Sequence, residues 1–284
     1  MATGFQANIV TLDLWRLRFH FHAEESLSFP PGKAANVLRG AFGMMLHETA
    51  SPAQYASLFA PSASDGPSGL ADRPRPFVFR AAHLDGATIP AGAGFHFDMH
   101  WFDTQHPASP ALQEAYARLA QAGLGPGRAR ATLVSVGRER ISIPLTPTPE
   151  SAARARVQFL TPTELKSDQQ IVTRPEFPIL FARLRDRIST LRALYGPGPL
   201  DIDFRAMGQR AAAVRLARCD LVWHSTVRRS SRTGQTHPIG GFTGEAEYDG
   251  DLAEFLPFLR AGQWTGVGRQ TVWGKGEICF QLCS

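Results

Sequence analysis

The fold is decided by residues 9–22, IVTLDLWRLRFHFH, in which apolar and polar side chains alternate. Alternation with a period of two predicts a β-strand that has one face against a core. After a proline-containing loop, residues 33–50 read KAANVLRGAFGMMLHETA, with apolar side chains at helical spacing. We therefore expect a strand followed by an amphipathic helix, whose buried stripe contains Val37, Leu38, Ala41, Met45 and Leu46.

The rest of the first half extends this pair of elements to six. The patterns predict strands at about 76–83 and 93–102, a helix at about 110–122, and a strand or hairpin at about 130–143. Residues 51–75 are rich in Pro, Ser, Ala, Gly and Asp, which predicts a long surface loop. The resulting order, β-α-β-β-α-β, is that of the ferredoxin-like fold.

The second half approximates the same order. We expect strands at 155–161, 239–248 and 276–282 and helices at 177–195 and 252–259. Residues 208–229 are expected to combine a short helix with a strand. The Pro/Thr-rich stretch 144–150 predicts a linker. The predicted class is therefore α+β, with tandem ferredoxin-like (RRM-type) β-α-β-β-α-β domains at 1–146 and 154–284.

The net positive charge lies entirely in the second half of the chain. Residues 1–153 contain 12 basic and 12 acidic side chains, whereas residues 154–284 contain 18 and 13. Seven arginines lie within residues 205–232, and the last three form the run Arg228-Arg229-Ser-Ser-Arg232. The arginine fork matches phosphate geometry, so a flexible basic hairpin tip that holds RNA is one reading. A solvated surface loop is the other.

Several classes of protein are disfavoured by the composition. Three cysteines without CxxC spacing argue against a disulfide scaffold or a zinc knuckle. No apolar run reaches the roughly 18 residues that a membrane span needs, and no signal peptide is evident. We expect no membrane partner and a cytoplasmic location.

A glycine motif near the C-terminus carries the main functional signal. Gly266-Val-Gly268 is followed by five residues and then by Gly274-Lys275-Gly276. Glycine permits positive φ and a close backbone approach, and successive N–H groups can cradle a phosphate. Glycine chemistry alone favours a tight turn over a ligand loop.

The motif resembles the G-hydrophobic-G-x5-G-hydrophobic-G loop of the repeat-associated mysterious protein (RAMP) superfamily, with Lys275 in place of an apolar residue. Further stretches resemble CRISPR-associated precursor-crRNA processing endoribonucleases of that superfamily: Phe29–Lys33, Leu38–Gly43, Ala122–Arg130, Phe159–Leu165, Pro238–Glu245 and Tyr248–Arg260. These motifs span nearly the whole chain.

The resemblance implies binding of CRISPR repeat RNA and its cleavage to crRNA by attack of a ribose 2′-hydroxyl, with no metal and no cofactor. Other CRISPR effector subunits are implied as further partners. The family's usual base is a histidine near the first helix, but Met44 occupies its expected place and His47 follows about one turn later. A divergent branch, found with type IV systems, offers arginines instead.

These implications select the candidate site residues. The catalytic candidates are Lys33, Arg39 and His47. The RNA-binding candidates are Arg228, Arg229, Arg232, Gly266, Gly268, Arg269, Gly274, Lys275 and Gly276. Trp264 and Trp273 flank the glycine loop, where they either stack on a base or pack beneath the loop.

Two rival readings remain open at this point. A non-catalytic crRNA-binding subunit of an effector complex keeps the same fold and loop but lacks an acid/base pair. A metal-dependent nuclease would use His96, Asp98 and His100, which alternate along one predicted strand and so share a face. A polar face of an antiparallel sheet explains the same alternation without a metal.

Overall fold

The computed structural model describes residues 10–59, 74–106, 110–147, 150–229 and 236–283. For residues 110–111, 226–229 and 236–239 it describes the backbone alone. None of the helices within these ranges is both long and apolar enough to cross a membrane.

The first half of the chain forms a four-stranded antiparallel sheet covered by helices. Its elements, in order, are β1 (Thr11–Ala23), β2 (Leu27–Ser28), α1 (Ala34–Thr49), α2 (Pro52–Phe59), β3 (Phe77–Arg80), β4 (Thr88–Ile89), β5 (Gly94–Trp101), α3 (Pro110–Ala122) and β6 (Ala131–Pro144). The sheet order is β3-β5-β1-β6, and β2 pairs separately with β4. The two central strands are thus the first and third of the predicted pattern, as a ferredoxin-like fold requires.

The second half repeats this topology. Its elements are β7 (Arg154–Thr163), β8 (Leu165–Ser167), β9 (Gln170–Val172), α4 (Phe177–Tyr195), α5 (Phe204–Ala211), β10 (Arg215–Arg229), β11 (Thr236–Asp249), α6 (Leu256–Thr265) and β12 (Ile278–Leu282). The sheet order is β10-β11-β7-β12, with antiparallel pairs throughout. The predicted fold class, tandem ferredoxin-like domains, is confirmed.

The predicted surface loop at 51–75 was wrong at its start, where α2 forms. Ser51 and Gln54 make a reciprocal capping box: the Ser51 N–H donates to Oε1 of Gln54 at 3.1 Å, and the Gln54 N–H donates to Oγ of Ser51 at 3.3 Å. Pro52 occupies the first helical position, where its missing N–H costs nothing. Residues 60–73 of the same stretch lie outside the described residues.

Two further boundaries differ from the sequence pattern. The helix expected at 252–259 is a 3₁₀ turn at Ala253–Phe255 followed by α6, which continues to Thr265. It ends where Gly266 adopts a φ of 68°, a left-handed value that favours glycine. Residues 130–143, expected as a strand or hairpin, form the single strand β6.

The first sheet packs on both of its faces. One face carries phenylalanines of β1, β3 and β5 into a core shared with α1 and α3. On the other face, Leu12, Leu14, Val78 and Phe102 join the core of the second half, which contains α4 and α6. Because this second contact buries apolar side chains from both halves, the glycine loop after α6 is brought against the first sheet.

Candidate functional site

The glycine-rich loop, residues 266–276, folds tightly on itself. All four glycines have positive φ values: 68° at Gly266, 79° at Gly268, 76° at Gly274 and 70° at Gly276. The Val267 N–H donates to the Gly276 carbonyl at 2.8 Å, and a Cβ on Gly276 would lie 2.0 Å from the Val267 oxygen. The close approach of the two ends of the loop therefore requires glycine at position 276.

The same loop docks on the start of α1. A Cβ on Gly274 would lie 2.3 Å from the Cβ of Ala35, and Nζ of Lys275 donates to the Gly32 carbonyl at 3.2 Å. Gly266, Gly274, Lys275 and Gly276 are buried. The loop therefore packs against α1 of the first half, in addition to being a candidate ligand-binding loop.

The outer part of the loop is more open and meets the second sheet. Gly268 is half-buried and Arg269 is exposed. The Arg269 guanidinium forms an ion pair with Glu164, and its backbone N–H donates to the Glu164 carbonyl at 3.0 Å. A Cβ on Gly268 would lie 2.4 Å from that carbonyl oxygen. Arg269 is therefore the loop residue that is most open to a ligand.

The first turn of α1 combines a capping carboxylate with two lysines. Oδ1 of Asp85 accepts the Ala34 N–H at 2.8 Å. Burial raises the pKa of Asp85, although the Ala34 N–H and the Lys275 charge oppose the rise. Burial lowers the pKa of Lys275, which Asp85 opposes and Lys33 reinforces. Lys33 is exposed, so it supplies an accessible positive charge at a helix N-terminus, where anions are favoured.

Arg39 lies between two aromatic rings. Its guanidinium carbon is 4.6 Å from the ring centre of Phe59 in α2 and 5.6 Å from that of Trp273 in the glycine-rich loop. The residue is 7% exposed. Such cation–π contacts hold the guanidinium where α1, α2 and the loop meet. Trp273 thus packs against a site residue from within the loop.

His47 lies apart from the other two catalytic candidates. It follows Arg39 by eight residues and Lys33 by fourteen, or about 12 Å and about 21 Å along a helix axis. Its exposed ring makes an edge contact with Tyr55 of α2, with ring centres 5.0 Å apart. The structure therefore groups Lys33 and Arg39 with the glycine-rich loop but leaves His47 at the other end of α1.

The β10–β11 hairpin rises from the sheet edge beside the outer part of the loop. At its base, a Cβ on Gly241 would lie 2.6 Å from the backbone nitrogen of Thr163, the residue before Glu164. From the pair His224–Gly241 the ladder continues to the pair Arg229–Thr236, five residues or about 17 Å further. The backbones of Arg228 and Arg229 lie on this extension, and Arg232 falls outside the described residues.

Three other arginines of the sequence cluster form ion pairs with carboxylates. Arg210 pairs with Glu254, Arg215 with Asp249 and Arg218 with Asp220, with closest N–O distances of 2.6, 3.1 and 2.6 Å. Exposed pairs of this kind contribute little stability, but they reduce the charge offered to RNA. Arg210, Arg215 and Arg218 are therefore weaker candidates for RNA contact than their sequence clustering indicates.

Two buried residues join the first sheet to the end of α6: Arg80, which sequence reasoning missed, and His100, which it considered only as a metal ligand. Arg80 of β3 is 7% exposed and donates to the carbonyls of Gln263 and Trp264 at 3.2 and 3.1 Å. Nδ1 of His100 in β5 lies 2.8 Å from the same Trp264 oxygen. These bonds fix the chain immediately before Gly266. No local signal announces them, because the partners are more than 160 residues apart.

His96, Asp98 and His100 share one face of β5, as the alternation predicted. The Asp98 carboxylate accepts bonds from Arg16 at 3.0 Å and from Arg18 at 2.7 Å. Burial acts to raise the pKa of Asp98, but the two arginines hold it below its usual value. Within the ranges that the model describes, no three His, Cys, Asp or Glu side chains are arranged to hold a metal ion. The polar-face reading accounts for these contacts.

Comparison with known proteins finds a matching family model for each half of the chain. Residues 157–278 match the family model of the CRISPR-associated endoribonuclease Cas6, and residues 12–145 match a second model described as an N-terminal domain. No curated protein matches the chain in sequence.

Solved structures share the whole architecture at low identity. A Cas6 (TTHB231) product complex superposes with a TM-score of 0.60 at 18% identity, covering 94% of this chain and 100% of the other. Thermus thermophilus Cas6 (TTHB231) gives 0.56 at 18%, covering 96% and 99%. A chain of a partial Cas6-RT-Cas1–Cas2 complex gives 0.60 at 12%, covering 95% of this chain and 46% of the other. The fold is common to all three, and the matched domain bears out the resemblance seen in the sequence: residues 157–278 carry the domain of the CRISPR-associated endoribonuclease Cas6, within a chain that shares the fold of Cas6 structures.

Proposed function

We propose that this protein binds CRISPR repeat RNA and cuts precursor crRNA once per repeat without a metal ion. The observation that carries the proposal is that the glycine-rich loop contacts α1 at two points, beside Lys33 through the Gly32 carbonyl and at Arg39 through Trp273, within a Cas6-type fold. Product complexes of two Cas6 proteins that share this fold support an endoribonuclease reaction for it.

The reaction places two demands on the site. The 2′-hydroxyl loses a proton and its oxygen attacks the adjacent phosphorus, while the 5′-oxygen leaves and gains a proton. The products are a 2′,3′-cyclic phosphate and a 5′-hydroxyl. Negative charge builds on the phosphorane oxygens, so positioned cations lower the barrier. Lys33 and Arg39 serve this charge, and neither needs to act as a base.

Proton transfer is assigned to His47, the one histidine of the α1 sequence. The separation of about 21 Å from Lys33 means that a single phosphate cannot contact both side chains while α1 is straight. Arginine is a poor base because its pKa is far above neutral. The test of His47 therefore stands apart from that of Arg39.

RNA binding is assigned to the hairpin and to the outer part of the loop. Arg228, Arg229 and Arg232 would hold the RNA backbone, with Gly268 and Arg269 close to the bound strand. Gly266, Gly274 and Gly276 contribute through the loop conformation, since their backbones are buried.

The test uses purified protein and end-labelled repeat RNA in the presence of EDTA. Discrete cleavage that leaves a 2′,3′-cyclic phosphate, identified by mass spectrometry, is the expected result. Loss of activity on chelation, with recovery on adding a divalent ion, would contradict the proposal.

A second function is favoured by one observation. Met44 occupies the position where the family resemblance calls for a histidine, and it is an exposed apolar side chain on α1. A protein without an acid/base pair would bind crRNA as a subunit of an effector complex. Tight binding with fully intact RNA in the same experiment would establish this function in place of cleavage.

A further inference from the structure

We infer that Lys275 is a positioning residue that holds the start of α1, and with it Lys33, in place for cleavage. The inference rests on the proposed function for its catalytic consequence. It gives Lys275 a role other than the phosphate contact expected from its place in the glycine motif.

The geometry of Lys275 directs it inward. The residue is 8% exposed, and its ammonium group donates to the carbonyl oxygen of Gly32 at 3.2 Å, across 243 positions of the chain. Gly32 has a φ of 66° and immediately precedes Lys33. The peptide that Lys275 grips therefore sets the direction in which the chain enters α1.

Contacts from two parts of the chain hold the start of α1 in place. From the first sheet's own loop, Asp85 caps the helix through the Ala34 N–H. From the second half of the chain, the backbone of Gly274 packs against Ala35, and Lys275 donates a hydrogen bond to the Gly32 carbonyl. Because these contacts come from both halves of the chain, the position of Lys33 depends on the position of the glycine-rich loop.

The charges explain why a lysine is tolerated where the motif calls for an apolar residue. A buried ammonium is costly unless it is paired and hydrogen-bonded. Here Asp85 lies close enough to raise the pKa of Lys275, against the larger lowering caused by burial. Two roles are thus separable: neutralising Asp85, which is structural, and holding the Gly32 carbonyl, which is positional.

The experiment compares Lys275→Met, Asp85→Asn and the double variant with wild type. Methionine keeps the length of the side chain and restores the apolar character of the motif. Asparagine keeps an oxygen for the Ala34 N–H and removes the charge. Lys166→Met makes the same chemical change on β8, away from α1, and serves as the matched control.

The expected result separates rate from binding. Lys275→Met should lower the single-turnover cleavage rate by at least about tenfold, because a small displacement of a group in the site is costly to catalysis. The Kd for repeat RNA should stay within about threefold. The double variant should recover thermal stability but not the rate, because the Gly32 carbonyl still lacks its donor.

Hydrogen exchange supplies a readout that does not depend on activity. Amides of residues 34–38 should exchange at least about tenfold faster in Lys275→Met than in Lys166→Met. Unchanged exchange there, or a wild-type cleavage rate in Lys275→Met, would overturn the inference. A Kd that rises as much as the rate falls would also overturn it, in favour of direct RNA contact. If wild type itself leaves RNA intact, the proposed function fails, and the exchange result alone decides the role of Lys275.

Discussion

Nδ1 of His100 lies 2.8 Å from the backbone oxygen of Trp264, and this bond joins β5 to the end of α6 two residues before the glycine-rich loop. The two rings also contact each other, with centres 4.9 Å apart. Burial, reinforced by the nearby charge of Arg80, lowers the pKa of His100 to about 3. The contact between β5 and the end of α6, which positions the glycine-rich loop, therefore depends on a neutral His100 imidazole.

Acid should lower the unfolding free energy at a pH well above the folded-state pKa of His100. The pKa of a histidine in the unfolded chain is near 6.5, so the unfolded state binds a proton below that pH. In the folded state His100 binds this proton only near pH 3, and the difference lowers the unfolding free energy in acid. Between pH 7 and pH 5 we expect His100 to cost about 2 kcal/mol of unfolding free energy. His100→Asn, which keeps a donor for the Trp264 carbonyl, should lose that much less over the same interval in urea titrations. Parallel profiles for the two proteins would show that His100 is protonated in the folded state.

The conformation of the loop predicts a sharp contrast between two glycines. Gly276→Ala places a Cβ 2.0 Å from the Val267 oxygen at a φ of 70° and should lower the unfolding free energy by at least about 2 kcal/mol. Gly40→Ala lies in α1 with nothing within 4 Å of the new atom. It should stabilise the protein by up to about 1 kcal/mol. Equal effects in chemical denaturation would mean that the loop is not as tight as described.

The sequence predicted what local periodicity and motif spacing encode. The strand β1, the helices α1, α3 and α4 and the glycine-rich loop followed from such patterns. The helix α2 was missed although Ser51-Pro52-Ala53-Gln54 holds a capping box, because the composition around it favoured a loop. This signal was present and could have been used.

The contacts that assemble the site had no such signal. Asp85 caps α1 from 51 residues away, and Lys275 reaches Gly32 from the other end of the chain. Burial of Arg39 depends on Phe59 and Trp273, which come from two different elements. Only the packing of the two sheets determines these partners, so sequence spacing could not show that Arg39 joins the loop while His47 does not.

The separation of Arg39 from His47 along α1 gives the two candidates different signatures. Arg39→Ala should lower the single-turnover rate by at least about tenfold, with repeat binding within a few-fold, since charge stabilisation is realised in the transition state. His47→Ala should lower it by about 100-fold or more if His47 is the base. Thermal melts of both variants control for the loss of the Arg39 ring contacts. An unchanged rate for His47→Ala would remove His47 from the mechanism and leave the arginine and lysine in place.

The hairpin tip predicts a specific change in salt dependence. Each phosphate contact on a single strand adds about 0.7 to the slope of log affinity against log salt, so Arg228→Ala, Arg229→Ala and Arg232→Ala together should flatten it by about 2. A matched triple variant replaces Arg215 of β10 and Arg154 and Arg156 of the neighbouring β7, which pair with Asp249 and Glu247 at the end of β11 far from the hairpin tip. That control removes the same charge but should leave the slope nearly unchanged. Equal flattening in both proteins would show that overall charge, and not the hairpin tip, holds the RNA.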